Sequence, residues 1–232
     1  MSRCFSRKCQ ERPARGNSIF ASSVRYLIIN EKHMKIGIIG AGAIGRAFAT
    51  QAVRAGYEVI LSNRRGPASL APLLAQLGGR ASTGTVTETA QAEVVFLALP
   101  WEQVAPVTAS VASWQGRLVI DPTNPILLPG FRLAELGGRT SSEVVASLVP
   151  GAQVVKAFNT LTPAVLAANP RENGGQRVIF YSGNDHAAKA KVAGMLQQMG
   201  FAGVDLGLLH EGGKLQQFPG GPLPTLNLLK VA

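Results

Sequence analysis

Gly40, Gly42 and Gly45 stand in the run Gly40-Ala41-Gly42-Ala43-Ile44-Gly45, directly after the apolar segment Lys35-Ile36-Gly37-Ile38-Ile39. Between a strand and a helix, the first glycine permits a tight turn and the second lets the backbone approach a pyrophosphate. The third lets the helix pack closely on the strand. The helix start then offers unpaired N–H groups and a positive dipole end to phosphates. Gly40, Gly42, Ala43, Ile44 and Gly45 are therefore candidate dinucleotide contacts. About 20 residues beyond the first glycine, an NAD site would place a carboxylate for the ribose 2′-hydroxyl, but this chain has Ser62-Asn63-Arg64-Arg65. A carboxylate there repels a 2′-phosphate, whereas a hydroxyl, an amide and two guanidinium groups bind one, the guanidinium planes matching its oxygens bidentately. That substitution selects NADP(H). The residues alone leave open a solvated basic turn at Arg64-Arg65-Gly66-Pro67.

Three further loops follow apolar runs and fall where open α/β sheets bind ligands, at the carboxyl ends of strands. The first is Leu99-Pro100-Trp101-Glu102 and the second Asp121-Pro122-Thr123-Asn124-Pro125, in which Thr123 and Asn124 can orient a nicotinamide carboxamide or ribose. The third is Lys156-Ala157-Phe158-Asn159-Thr160. Lys156, entering an apolar setting after Val154-Val155, suits either a functional role or a structural one as an ion-pair partner or carbonyl cap. No catalytic acid, base or nucleophile is assigned. His33, His186 and His210 are too scattered for a metal cluster, and both cysteines, Cys4 and Cys9, precede the glycine turn.

The elements that must position these residues read as alternating strands and helices. Strands are expected at 35–39, 58–62, 93–99, 118–121, 153–157, 177–181 and 202–205. Helices are expected at 44–55, 69–77, 103–111, 142–148 and 186–199, with Thr140 and Glu143 at capping-box spacing and Thr162-Pro163 opening a further helix. Val94-Val95-Phe96-Leu97 is continuously apolar, as a strand covered on both faces requires. The expected fold is α/β, a Rossmann-type doubly wound, mainly parallel sheet with helices on both faces. The tail 211–232, rich in Gly and Pro, reads as a loop with a short closing segment rather than a second domain.

With 232 residues, 46% of them hydrophobic and 16% charged, the chain can bury a full core. No apolar stretch reaches the roughly 18 residues of a membrane span, so a cytoplasmic protein without membrane contact is expected. The formal charge of +10 suggests nucleic acid, but its distribution argues against that. Residues 1–33 hold seven basic residues against two acidic ones, which is half of the net charge. The remainder shows no basic stripe interleaved with aromatics. Residues 1–33 are therefore expected to be a disordered basic extension, a targeting segment being the weaker reading, with one domain over 34–232.

Taken together, GAGAIG at 40–45, SNRR at 62–65, LPW at 99–101, DPTNP at 121–125, VVKAFNT at 154–160 and GND at 183–185 resemble the coenzyme F420-dependent NADP oxidoreductases. They are also similar to the NADPH domain of the STEAP metalloreductases, DPTNP and VVKAFNT most of all. The resemblance implies that NADP(H) lies across the glycine turn and that hydride passes to a flavin or deazaflavin (coenzyme F420) ring as co-substrate. It implies that Leu99, Pro100, Trp101, Thr123, Asn124, Pro125, Phe158, Asn159 and Thr160 surround the cofactor, several at its nicotinamide end. It also implies a small-molecule acceptor as partner and allows a homodimer. Direct hydride transfer depends on alignment and exclusion of water more than on an acid or base. The alternative function is a non-catalytic NADP(H)-binding sensor or partner protein.

Overall fold

Runs of β-branched and other apolar residues, each closed by a glycine, proline or polar turn, form the strands that carry every candidate loop. The computed structural model describes residues 34–231. The expectations for residues 1–33, including His33 and both cysteines, lie outside the described residues. Eight strands follow one path: β1 (Lys35–Ile39), β2 (Glu58–Ser62), β3 (Ala81–Thr83), β4 (Val94–Leu97), β5 (Leu118–Asp121), β6 (Gln153–Ala157), β7 (Gly175–Gly183) and β8 (Ala202–Asp205). Their order is β8-β7-β6-β5-β4-β1-β2-β3. The first six are parallel in the order 3-2-1-4-5-6, that of a doubly wound dinucleotide-binding sheet. β7 runs antiparallel to β6, and β8 is parallel to β7.

The chain leaves β1 towards β2 on one side and later returns to place β4 on the other. Their carboxyl ends therefore flank the switch point where such sheets open a crevice. Burial follows the two covered faces. Alternate residues of β4 divide between them, Val94 and Phe96 packing with Phe48 and Phe158 on one side, and Val95 and Leu97 with Trp114 and Val145 on the other. Phe48 stacks on Phe96 with ring centroids 3.8 Å apart.

The helices are α1 (Ala43–Arg54), α2 (Ala71–Leu77), α3 (Val86–Thr89), α4 (Trp101–Ala109), α5 (Ser141–Leu148), α6 (Pro163–Ala167), α7 (His186–Met199) and α8 (Leu209–Gln216). Thr140 and Glu143 form the expected capping box. α4 begins two residues before its expected start, because Pro100 at φ −58° serves as N-cap and sets Trp101 as the first helical residue. In GND, Asp185 caps α7 by accepting from the Ala188 amide at 2.7 Å. Asn184 accepts from Leu209 N at 3.0 Å at the start of α8.

α8 corrects the reading of the tail as loop from residue 211. Gly212 and Gly213 lie inside this helix because the space admits nothing larger. A Cβ at Gly212 would come within 2.5 Å of Ser182 Cβ, and one at Gly213 within 3.0 Å of Thr140 Cβ. Close packing, not turn formation, requires these glycines.

Candidate functional site

The glycine turn is built by steric exclusion on one side and open space on the other. Gly40 adopts φ +103° and donates its N–H to Ser62 O at 2.9 Å, while a Cβ there would lie 2.0 Å from Ala98 O. A Cβ at Gly45 would lie 2.1 Å from Gly40 O. Gly42 differs: its added Cβ meets nothing within 4 Å. It is the N-cap of α1, has no side chain to cap the first turn, and is followed by no acidic residue in that turn. The unpaired amides of α1 therefore face open space, a cradle of the kind that can receive a pyrophosphate.

A groove of about 660 Å³ lies there, and Gly40, Gly42, Asn63, Arg64, Arg65, Leu99 and Pro100 of the expected contacts line it. Arg64 and Arg65 are exposed, whereas Asn63 is steadied by mutual hydrogen bonds with Ser69. Ser62 lies beneath them, 1% exposed, with a hydroxyl that has no partner among the described residues.

Beyond the start of α1 a second cavity of about 240 Å³ is lined by Ile44, Asn124, Asn159 and Thr160, together with Pro122 and the C-terminal residues Phe218, Pro224 and Thr225. The groove and the cavity thus meet opposite parts of one glycine turn, as the two ends of a dinucleotide require. Asn159 Nδ2 donates to Asn124 Oδ1 at 2.9 Å and to Gln216 O at 2.6 Å. Asn124 Nδ2 has only a 3.4 Å contact with Asn159 O, beyond the usual range for such bonds, and so keeps donor capacity. The buried Thr160 hydroxyl has no partner among the described residues. An amide donor and an unsatisfied hydroxyl are the groups a nicotinamide carboxamide can use.

The remaining expected contacts lie elsewhere, for identifiable reasons. The exposed Ala43 is the first residue of α1, and Gly45 serves helix packing. Trp101 turns away from the cofactor groove, towards a separate groove of about 700 Å³ beside Leu127, Leu136 and Leu148. Pro125 is buried, its carbonyl accepting from Ala134 N. The Phe158 ring belongs to the core, edge-on to Phe48 at 5.0 Å and to Phe96 at 5.7 Å, so this residue shapes the site only through its backbone at φ +67°.

Thr123 is also turned inward, because Asp121 Oδ1 accepts from its N–H at 2.8 Å and its hydroxyl at 2.6 Å. Asp121 Oδ2 accepts from Ser142 and lies 3.7 Å from Lys156 Nζ. Lys156 Nζ donates to Thr123 O at 2.9 Å and Ser141 Oγ at 3.1 Å. Lys156 is completely buried, and desolvation pulls its pKa below the ordinary lysine value against the attraction of Asp121. Of its two readings, the structure gives Lys156 the structural role, fixing the loop that carries Asn124.

Gln216 has no counterpart in the sequence reading. Fully buried at the end of α8, it accepts from Ser182 Oγ at 2.8 Å and donates to Phe180 O at 3.1 Å. It thereby locks Asn159 from behind. One of two adjacent glutamines, three residues after paired glycines, carries no signal in the sequence that could have marked it. Among the described residues, no group of three or more His, Cys, Asp or Glu residues could hold a metal ion, and no helix is long and apolar enough to cross a membrane.

Residues 35–125 match the family described as NADP oxidoreductase, coenzyme F420-dependent. The chain is 46% identical to the hypothetical protein SMa0349 from Sinorhizobium meliloti, covering 88% of this chain and 99% of that one with a TM-score of 0.81. Residues 35–125 thus form a domain of the coenzyme F420-dependent NADP oxidoreductase kind. A protein of known structure from Arthrobacter sp. FB24, described as an F420-dependent NADP reductase, is 29% identical. The match covers 76% of this chain and 86% of that one, with a TM-score of 0.65. Metalloreductase STEAP3 from Rattus norvegicus is 31% identical over 193 residues, 82% of this chain. The chain spans 37% of that relative's length. The matched domain makes the dinucleotide NADP(H) and the class of chemistry oxidoreduction, in keeping with the open cradle at Gly42 and the guanidinium groups of Arg64 and Arg65.

Proposed function

We propose that this chain passes hydride from NADPH to the ring of a flavin or deazaflavin. The observation that carries the proposal is the chemistry of the smaller cavity, since none of the described residues lining it has an ionisable side chain. Reduction of a carbonyl or imine group calls for a proton donor within hydrogen-bond reach of the reacting atom. A flavin-type ring makes no such demand. Bound NADPH supplies a hydride, two electrons with one proton, and becomes NADP⁺, while a second proton reaches a ring nitrogen of the acceptor from solvent.

The residues of the chain supply binding, alignment and dryness. Arg64 and Arg65 hold the 2′-phosphate and the α1 amides hold the pyrophosphate. Asn124 and Thr160 orient the carboxamide, with Asn124 held by Asn159 and Asn159 by Gln216. Pro122, Phe218 and Pro224 keep water from the ring. Such alignment provides the rate without a side chain that changes protonation.

The test is anaerobic turnover of NADPH with riboflavin, FMN, a deazaflavin and, for contrast, simple ketones and imines. Deuterium at the transferring position of NADPH should appear on the deazaflavin, and the ketones and imines should remain unreduced. Reduction of ketones in preference to flavins would overturn the reading. Tight NADP(H) binding with no turnover of any acceptor would instead favour a sensor.

A further inference from the structure

We infer that Phe131 and Leu128, on a projecting hairpin, together with Phe218 of the C-terminal loop, form the platform on which a planar heteroaromatic acceptor ring lies. This rests on the proposed hydride transfer and adds the place and the residues. The hairpin pairs Ile126–Leu127 antiparallel with Arg132–Leu133. It exposes three large apolar side chains, Leu128 at 61%, Phe131 at 55% and Leu133 at 43%. An exposed apolar group of this kind is expected to be covered in function.

Its position identifies what covers it. Leu128 lines the cofactor groove, and Phe218 lines the smaller cavity. The rings of Phe131 and Phe218 meet edge to face with centroids 5.9 Å apart, so the apolar surface runs from one cofactor opening to the other. The smaller cavity, at about 240 Å³, lies below the roughly 300–1,000 Å³ of sites that enclose a whole ligand. It has room for the nicotinamide alone, which leaves an acceptor ring at its mouth.

Backbone conformation singles out the same place. Four non-glycine residues among those described have positive φ: Phe131 at 52°, Phe158 at 67°, Asn173 at 49° and Thr225 at 70°. Three of them surround this opening: Phe131 on the hairpin, Phe158 beneath the loop of Asn159 and Thr160, and Thr225 on the cavity wall with its N–H donated to Thr160 O at 2.7 Å. A bulky aromatic held at positive φ is strained, and such conformations cluster at ligand sites. A flat ring with apolar faces is the ligand that phenylalanine edges and a leucine side chain accept, by stacking and by edge-to-face contact.

The test is equilibrium binding of riboflavin, FMN and a deazaflavin to the protein saturated with NADP⁺, read by quenching of acceptor fluorescence without turnover. Phe131→Ala should weaken acceptor binding tenfold or more and Leu128→Ser severalfold. Phe131→Trp should retain it, and NADP⁺ affinity should stay within twofold in both Phe131 variants. A preference among the three acceptors shows which source of the ring the site takes. Acceptor binding unchanged in both Phe131→Ala and Leu128→Ser overturns the platform, even if turnover occurs. Parallel loss of NADP⁺ affinity in Phe131→Ala also overturns it. Phe131-dependent binding without turnover supports the platform and removes the hydride reaction instead.

Discussion

Gly42 and Gly45 stand three residues apart and answer to different demands. A methyl group at Gly45 would enter the Gly40 carbonyl, so Gly45→Ala should destabilise the fold by about 2 kcal/mol, measured by urea unfolding. A methyl group at Gly42 meets only open space, and its φ of −73° suits alanine. Gly42→Ala should therefore keep its unfolding midpoint while losing NADPH affinity tenfold or more by calorimetry. Equal stability losses in the two variants would contradict the division between packing glycine and phosphate glycine. Arg64 and Arg65 offer a second comparison at this scale. A charge-assisted hydrogen bond contributes about 1.5–3 kcal/mol, so replacing both arginines by alanine should weaken NADPH by tenfold to a few hundredfold and spare NADH. Equal losses for both cofactors would show that this turn does not read the 2′-phosphate.

Among the elements, α5 matters because its first turn supplies Ser141 and Ser142 to the Lys156–Asp121 cluster beneath the Asn124 loop. Its capping box keeps the Glu143 carboxyl below the ordinary glutamate pKa of 4.5, chiefly through the Thr140 N–H. A lowered folded-state value contributes stability that is present above pH 4.5 and lost as pH falls through the folded value. Glu143→Ala, which removes the titrating carboxylate from the box, should lose about 1 kcal/mol at neutral pH. Urea midpoints of variant and parent should converge as the solution is acidified below pH 4.5; a constant gap would contradict the cap as the cause.

Legibility in the sequence divides at this same scale. β1, the glycine turn and α7 are readable because their patterns are local: five residues before a glycine run, and a helix between Asp185 and the left-handed Gly200. β3 is three residues, Ala-Ser-Thr, and gains its identity only by pairing with β2. α8 escapes because paired glycines ordinarily mark loops, and what demands them here is contact with Ser182 and Thr140, residues distant in sequence. The same distance hides Gln216 and the meeting of Phe131 with Phe218. Trp101 and Phe158 show the converse, residues next to groove- and cavity-lining neighbours whose own rings the packing directs elsewhere.

At the scale of the whole molecule, the parallel order 3-2-1-4-5-6 sets the switch point, and the antiparallel β7 with α8 backs the cavity proposed for the nicotinamide. One sheet thereby brings together a basic turn at Arg64 and Arg65, an amide-lined cavity without ionisable groups, and the exposed apolar side chains of the proposed platform. The arrangement suits a reaction in which the chain aligns two rings and excludes water while exchanging no proton of its own. Its most direct test is to mix the protein anaerobically with equimolar NADPH and deazaflavin. The absorbances of the reduced nicotinamide and the oxidised deazaflavin should then fall together, one molecule of each per turnover. Loss of neither, or loss of NADPH without reduction of the ring, would contradict the account.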